Sequence, residues 1–251
     1  MKITGVIITF NEERNIERCL LSLKAVCDEI LVLDSFSTDR TEEICRINQV
    51  RFIQHAFDGH IQQKNRAMQL AETEWVLSLD ADEALTKELE VAILNIKEHP
   101  IHQAYAFNRL TNYCGHWVKH SGWYPDTKTR LIQKDLARWT GVNPHDRLEL
   151  LEDGKVQTLK GDLLHYSYYS KEDHFKQIEY FGNIASQELF LLGKTISLPY
   201  LYIKVCNQFV KSYVIKRGIL DGKTGFLIAI RSAYATYVKY AKLRALNRKK
   251  P

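Results

Sequence analysis

The sequence predicts an α/β fold built on a mainly parallel sheet covered by helices, followed by a basic, amphipathic helical extension. Three observations carry that expectation. Apolar β-branched runs alternate with segments of helical periodicity through the first hundred residues. Polar clusters stand where those runs end. The charge is also divided: residues 201–251 hold twelve Lys or Arg against one acid, a net +11, and since the whole chain carries +5, residues 1–200 carry −6.

The segment ITGVIITF reads as a first strand, and NEERNIERCLLSLKAV then spaces Ile16, Leu20, Leu23 and Ala25 along one helix face. EILVLDSF repeats the strand. STDRTEEICRI sets Asp39 and Glu42 in a capping-box pattern before a second helix. VRFIQHAF, QQKNRAMQLAE and WVLSLD continue the alternation, and Thr86 is the expected N-cap of a helix over TKELEVAILNIKEH. Parallel sheets of this kind bind ligands at the carboxyl ends of their strands. Thr9 to Glu12, Asp34 with Ser35, and Asp80 to Asp82 should therefore converge on one rim. After Pro100 the rhythm changes to aromatic, strand-like pieces, AYAFNRLTNYCGHWV and TKTRLIQK, and then an expected loop, WTGVNPHDRLEL. The division expected is a domain over 1–200, with a first half to about residue 100 and a second half beyond it, and an extension over 201–251.

With 251 residues, 45% of them hydrophobic and 26% charged, the chain can bury a core and is not disordered. Five cysteines without a CxxC pair point to reduced thiols in a cytoplasmic setting. The apolar run in MKITGVIITFNEER is too brief for a signal peptide, and nothing approaches the run of about 20 apolar residues that a spanning helix needs. The extension interleaves Tyr and Phe with Lys and Arg on helices broken near Gly218 to Gly225, a composition suited to a membrane interface. An amphipathic packing helix with a solvated face is the plainer alternative. A nucleic-acid partner is not expected, because it would leave the acidic rim unexplained.

WVLSLDADEAL raises the sharpest chemical question. Asp80, Asp82 and Glu83 crowd the mouth of an apolar strand, where carboxylates repel one another and lose solvation. Either the acids merely end the strand and start the next element, or they hold a divalent cation that bridges them to phosphate.

ITFNEE, VLDSFSTDRTEEI, QKNRAMQLAETEWVLSLDADE and VNPHDRLEL, in that order, resemble the family 2 glycosyltransferases with a GT-A fold, and more closely the lipopolysaccharide-core β-glucosyltransferases of the WaaE type. The resemblance covers residues 3 to about 170. It implies an inverting hexosyl transfer, with glucose the best single choice, from a UDP-sugar to a lipopolysaccharide-core or other lipid-linked saccharide. The place implied is the cytoplasm, at the inner face of the plasma membrane, with the extension on the lipid surface. Carried over residue by residue, it implies that Asp82 coordinates Mg²⁺ or Mn²⁺ and that Asp80 holds the ribose or a metal-bound water. Thr9, Asn11, Glu12 and Asp34 would line the nucleoside pocket, while Lys64 and Asn65 of the QKN segment would lie near base and phosphates; Gln62 and Gln63 fit an exposed helix face better. Arg130 would pair with phosphate. Asp146, one methylene shorter than the Glu usual in the matching segment, is the implied catalytic base, with Glu149 in reserve and a loop brace to Arg147 or Arg130 as the structural alternative. His165 would ligate the metal or pyrophosphate, or else serve as a packed core group.

Two other readings compete. A sugar-1-phosphate nucleotidyltransferase resembles a Gly-rich first loop with Arg and Lys, whereas TFNEERN is acidic and has no glycine. A non-catalytic membrane module on the same fold would bind lipid without turnover, which the intact DxD disfavours.

Overall fold

A computed structural model describes residues 1–142 and 145–248, in two compact units: Met1–Leu110 with Asp126–Tyr166, and Thr111–Pro125 with Ser167–Pro251. The boundary expected at residue 200 falls inside the second unit, within a helix over Leu198–Val210.

The first unit opens with the predicted alternation: β1 (Ile3–Thr9), α1 (Ile16–Leu23), β2 (Glu29–Asp34), α2 (Thr41–Ile47), β3 (Arg51–Gln54), α3 (His60–Leu70) and β4 (Trp75–Asp80). A short β5 (Glu83–Leu85) and α4 (Lys87–Glu98) follow, then β6 (Ala104–Tyr113). β7 (His116–Trp117) pairs with residues 112 and 113 of β6 in the second unit. The remaining strands are β8 (Asp126–Gln133), β9 (Ala137–Val142), β10 (His145–Leu150) and β11 (Val156–Tyr168). The sheet runs β3-β2-β1-β4-β8-β6-β11-β5. β1 is parallel to β2 and β4, and β2 to β3, whereas β8 is antiparallel to β4 and β6. The architecture is thus mixed α/β with a parallel nucleus, as in GT-A folds.

Strand alternation divides the core between two faces. Ile3 and Ile7 of β1 pack with Leu20 and Leu23 of α1 and Leu89 and Ile93 of α4, while Val6 packs on the opposite side with Ala67 and Met68 of α3. Gly5 sits where β1 comes close to α1: a Cβ there would lie 3.0 Å from Cys27 Sγ and 3.2 Å from Leu23 Cδ1.

Local signals succeeded unevenly. Thr86 does cap α4, accepting from Leu89 N at 3.3 Å. The capping box expected at Asp39 does not form. Asp39 instead accepts from Thr41 N at 3.0 Å and from Glu13 N at 3.0 Å, so its carboxylate joins two loops rather than closing on Glu42. The expected loop over WTGVNPHDRLEL is mostly the β9–β10 hairpin. All five cysteines are free.

The second unit holds α5 (Lys171–Leu191), α6 (Leu198–Val210) and α7 (Gly222–Arg248), with a π-helical turn at Lys211–Ile215 and a 3-10 turn at Gly218–Asp221 between the last two. α5 starts on a full capping box between Ser170 and Asp173, and Ser197 caps α6 ahead of Pro199. The break expected near Gly218 to Gly225 is present for a steric reason: a Cβ on Gly225 would stand 1.8 Å from Gly218 O. Asp221, the lone acid of the extension, is buried and accepts from His120 N at 2.9 Å and His120 Nδ1 at 3.0 Å. Among the described residues, no helix is long and apolar enough to cross a membrane.

Two outcomes test this packing. Gly161 has φ +96°, and a Cβ there would lie 2.4 Å from Leu89 N at the start of α4. Gly161→Ala should therefore cost about 3 kcal/mol through strain and overlap, read as a fall in the urea midpoint. In the second unit His174 lies among Tyr113, Trp123 and Tyr168, its Nδ1 3.1 Å from Tyr113 Oη. Burial, helped by Arg231, pulls its pKa from 6.5 down to about 4. Between those values the unfolded chain binds the proton and the folded one does not, so stability falls as pH drops from 6.5 towards 4. Tm should decline over that window, and His174→Gln should flatten the decline.

Candidate active site

The register of the parallel strands brings the polar clusters together. Thr9 is level with Asp34 across β1 and β2, and Ile8 is level with Asp80 across β1 and β4. The loops after β1 and β2 are then stitched to each other. Asn11 N donates to Ser37 Oγ at 2.8 Å, Thr38 N donates to Asn11 Oδ1 at 2.8 Å, and Glu12 N donates to Thr41 Oγ1 at 2.8 Å. Asn11 adopts φ +55°, a left-handed conformation that asparagine tolerates well. Asp34 is fully buried: Oδ1 accepts from Thr9 Oγ1 at 2.9 Å and from the Ser37 hydroxyl, and Oδ2 accepts from Ser37 N at 2.8 Å. Glu12 accepts from Asn15 Nδ2 at 2.9 Å. Burial pushes the Glu12 carboxyl up against that hydrogen bond, and Asp82, Asp39 and Asp80 push it the same way, so Glu12 senses the acids at the end of β4.

Those acids are held by cations from three directions. Asp80 Oδ1 lies 2.8 Å from Lys64 Nζ and Oδ2 lies 2.9 Å from Arg130 Nη2. Burial alone would raise its pKa, but Lys64 and Arg130 prevail and hold it well below the usual carboxylate range. Glu83 is buried beneath it, accepting from Arg130 Nη2 at 2.8 Å, Arg109 Nη1 at 3.4 Å and Asp80 N at 3.0 Å. Arg109 continues the chain of charges to Asp126 at 2.6 Å. Burial works against the Arg130 charge, yet Glu83 and Asp80 raise its pKa and keep it a cation. Removing one member of such a buried set costs about 3–5 kcal/mol, because the others lose their counter-charge.

Three successive residues of α3 do three different jobs. Gln63, read from sequence as surface, is fully buried and donates to Ser35 Oγ and His55 O, each at 3.1 Å. Lys64 joins Asp80 to Asp146 of β10, its Nζ 2.7 Å from Asp146 Oδ2 and 4.2 Å from the centre of the Trp139 ring. Asn65 clamps the Trp139 backbone, donating to its carbonyl and accepting from its N–H, both at 2.9 Å. The β9–β10 hairpin that carries Asp146 is thereby fixed to α3. Asp146 pairs with Lys64, in place of the Arg147 or Arg130 brace considered from sequence. Glu149 faces outward, held by Thr140 Oγ1 at 2.5 Å and Arg147 Nε at 3.2 Å.

Asp82 is the acid the cations leave open. Its Oδ2 lies 3.2 Å from His165 Nε2, and β11 sets His165 level with Glu83. Among the described residues no group of three or more His, Cys, Asp or Glu converges on one point. One carboxylate oxygen and one imidazole nitrogen suit a Mg²⁺- or Mn²⁺-like ion that completes its shell with ligand phosphates and water. Nearby, Arg130 Nε and Trp139 Nε1 are buried without a hydrogen-bond partner.

Arg109 and Trp139 had no assigned role in the sequence, and Glu83, grouped there with Asp80 and Asp82, was not expected to anchor Arg130 and Arg109. Glu83 follows the DxD directly, which was a usable signal. Arg109 and Trp139 lie on strands whose place in the sheet no local pattern reveals.

Comparison with known proteins gives the family. The model of glycosyl transferase family 2 matches residues 4–149. A glycosyltransferase of Rickettsia typhi is 32% identical over 259 residues, spanning 99% of this chain and 88% of that protein. The lipopolysaccharide core biosynthesis glycosyltransferase LpsC of Rhizobium meliloti is 23% identical over 253 residues, spanning 97% and 92%. Among solved structures, TarS 1–349 of S. aureus in complex with UDP-GlcNAc aligns over 99% of this chain and 91% of its own, with TM-score 0.49 and 18% identity. With more than half of the chain inside the family model and a relative above 30% identity along nearly its whole length, this protein belongs to glycosyl transferase family 2.

Proposed function

We propose that the protein is an inverting transferase that moves a hexose, with glucose the first choice, from a UDP-sugar to a lipopolysaccharide-core or other lipid-linked saccharide. The observation that carries this reading is the double ion pair of Lys64, which ties Asp80 on the sheet rim to Asp146 on the hairpin. A cation, a candidate base and a rim of acids then share one place.

The loops held by Asn11, Glu12 and Asp34 give the nucleoside a fixed seat, with Thr9 and Asp34 bracing it from below. Lys64 and Arg130 supply positive charge beside the departing diphosphate, and their rigid pairing means that little reorganisation is needed when charge develops. Asn65 acts through Trp139 by positioning the hairpin. Asp82 and His165 would hold Mg²⁺ or Mn²⁺, with Asp80 beside the ribose or a metal-bound water. When bound, that ion neutralises charge on the leaving group. Asp146 accepts the acceptor hydroxyl proton at Oδ1, the oxygen that Lys64 does not hold, while the new glycosidic bond forms and the bond to the diphosphate breaks. A single base and direct displacement give inversion. LpsC, similar along nearly the full chain, is named for lipopolysaccharide core biosynthesis, which supports a core saccharide as acceptor.

Exposed apolar side chains on α6 and the turns after it, among them Ile203, Val214, Ile215 and Leu220, support work at the inner face of the plasma membrane by a peripherally bound cytoplasmic enzyme.

UDP release from a panel of UDP-sugars with Mn²⁺ or Mg²⁺ tests the reading. One donor should be turned over, EDTA should stop it, and Asp82→Asn should lower the rate by at least about a hundredfold. No release from any donor, with no UDP binding by calorimetry, would leave the acids as a strand cap. Asp146→Asn should lower kcat by about 10²–10⁴ with little change in donor KM, whereas Glu149→Gln should stay near wild type. A reversed pattern would move the base to Glu149.

A further inference from the structure

α6 and α7 enclose a groove of about 260 Å³ whose chemistry the transfer reaction does not use. Tyr200, Lys204, Asn207 and Lys211 recur at helical spacing along α6 and the turn that follows it, and Lys239 and Tyr240 of α7 line the opposite wall. Two of the three ammonium groups lie near tyrosine rings: Lys204 Nζ stands 4.8 Å from the Tyr200 ring centre and 5.5 Å from that of Tyr240, and Lys239 Nζ stands 4.8 Å from Tyr240. Among the described residues, no carboxylate pairs with any of the three lysines. The contrast with Lys242, one turn further along α7, is direct: its Nζ lies 2.6 Å from Glu179 and 2.7 Å from Asn183. Three like charges gathered around a polar concavity without a counter-ion attract an anion.

The exposed side chains of the same elements indicate where that anion resides. Tyr200 and Ile203 of α6 and Val214 and Ile215 of the following turn are 51%, 53%, 61% and 68% exposed. Exposed apolar and aromatic side chains on the elements that carry a basic pocket match a headgroup layer, where rings and aliphatic groups enter the acyl boundary and cations meet phosphate. We propose that this groove binds the phosphate headgroup of an anionic membrane lipid. The proposal rests on the reading that the protein works at a membrane surface, and it names the protein's partner there.

The test uses the full chain and two readouts. In flotation with phosphatidylcholine vesicles, with and without phosphatidylglycerol, wild type should bind the anionic vesicles far more tightly. Lys204→Gln, Lys211→Gln and Lys239→Gln together should weaken that binding about a hundredfold, at about fivefold per lysine. A control that removes three other charges of the extension, Lys216→Gln, Lys223→Gln and Arg248→Gln, should lose clearly less. In parallel, acetylation of wild-type lysines read by mass spectrometry should show Lys204, Lys211 and Lys239 protected by anionic vesicles, a readout that needs no variant to fold. Equal losses in the two triple variants would overturn the groove in favour of diffuse surface charge. Equal binding to both vesicle types would overturn the groove and leave the membrane reading standing, and binding to neither would overturn both. Protection by glycerol 3-phosphate alone, matching that by vesicles, would reassign the groove to a soluble phosphoester and overturn the lipid assignment. UDP release without vesicles reports separately on the transferase reading.

Discussion

Four carboxylates, Glu12, Asp80, Asp82 and Glu83, meet at the carboxyl end of a parallel sheet, and the first unit is arranged so that this concentration of charge can exist. Arg130 answers Asp80 and Glu83 together, Lys64 answers Asp80 and Asp146, and Arg109 links Glu83 to Asp126. Desolvating such a set is costly, and the mutual attraction offsets that cost only when the geometry is well fixed. The fixing comes from elements distant in sequence: α3 supplies Lys64, β8 supplies Arg130, β6 supplies Arg109 and β10 supplies Asp146. Packing of α3 against the β9–β10 hairpin, through Asn65 and Trp139, is therefore part of the electrostatics as well as of the core.

The same network sorts the acids by task. Asp80 and Glu83 are neutralised from within the protein and serve as foundation. Asp82 faces a histidine and keeps its oxygens accessible, which suits a residue that meets a ligand or ion. Among the described residues, Asp146 is held through one oxygen, by Lys64. Carboxylates close together in space are thus given unlike environments, the usual way for a protein to divide chemical labour among identical groups. Membership in glycosyl transferase family 2 gives this sorting its context: a leaving diphosphate needs positive charge and an acceptor hydroxyl needs a base.

The second unit solves a different problem with opposite charge. Its helices place lysines and arginines along surfaces that also expose large apolar side chains, and its one acid beyond residue 200, Asp221, is buried as an anchor for the Lys119–His120 backbone. Cations that the fold needs internally have partners, as Lys242 does. Among the described residues, Lys204, Lys211 and Lys239 stand without a carboxylate partner along the α6–α7 groove.

How much of this was readable from the chain follows from the range of each interaction. Strand and helix alternation, the Thr86 cap, the break at Gly218 to Gly225 and the convergence of Thr9, Asp34 and Asp80 were legible, because periodicity, capping and parallel register depend on neighbours in sequence and on a general rule for strand ends. The Asp39 pattern misled because a loop on another strand competed for its carboxylate, and Gln63 misled because burial of a polar side chain depends on what packs over it. The sequence by itself determined the parallel nucleus, the acidic rim and the basic extension. Only the tertiary structure decided that Lys64 joins Asp80 to Asp146, that Arg130 rests on Glu83, and that Asn65 grips Trp139. Lys64 and Asp146, Asn65 and Trp139, and Arg130 and Glu83 lie 82, 74 and 47 residues apart along the chain, and contacts at that separation exist only once the sheet has closed around them.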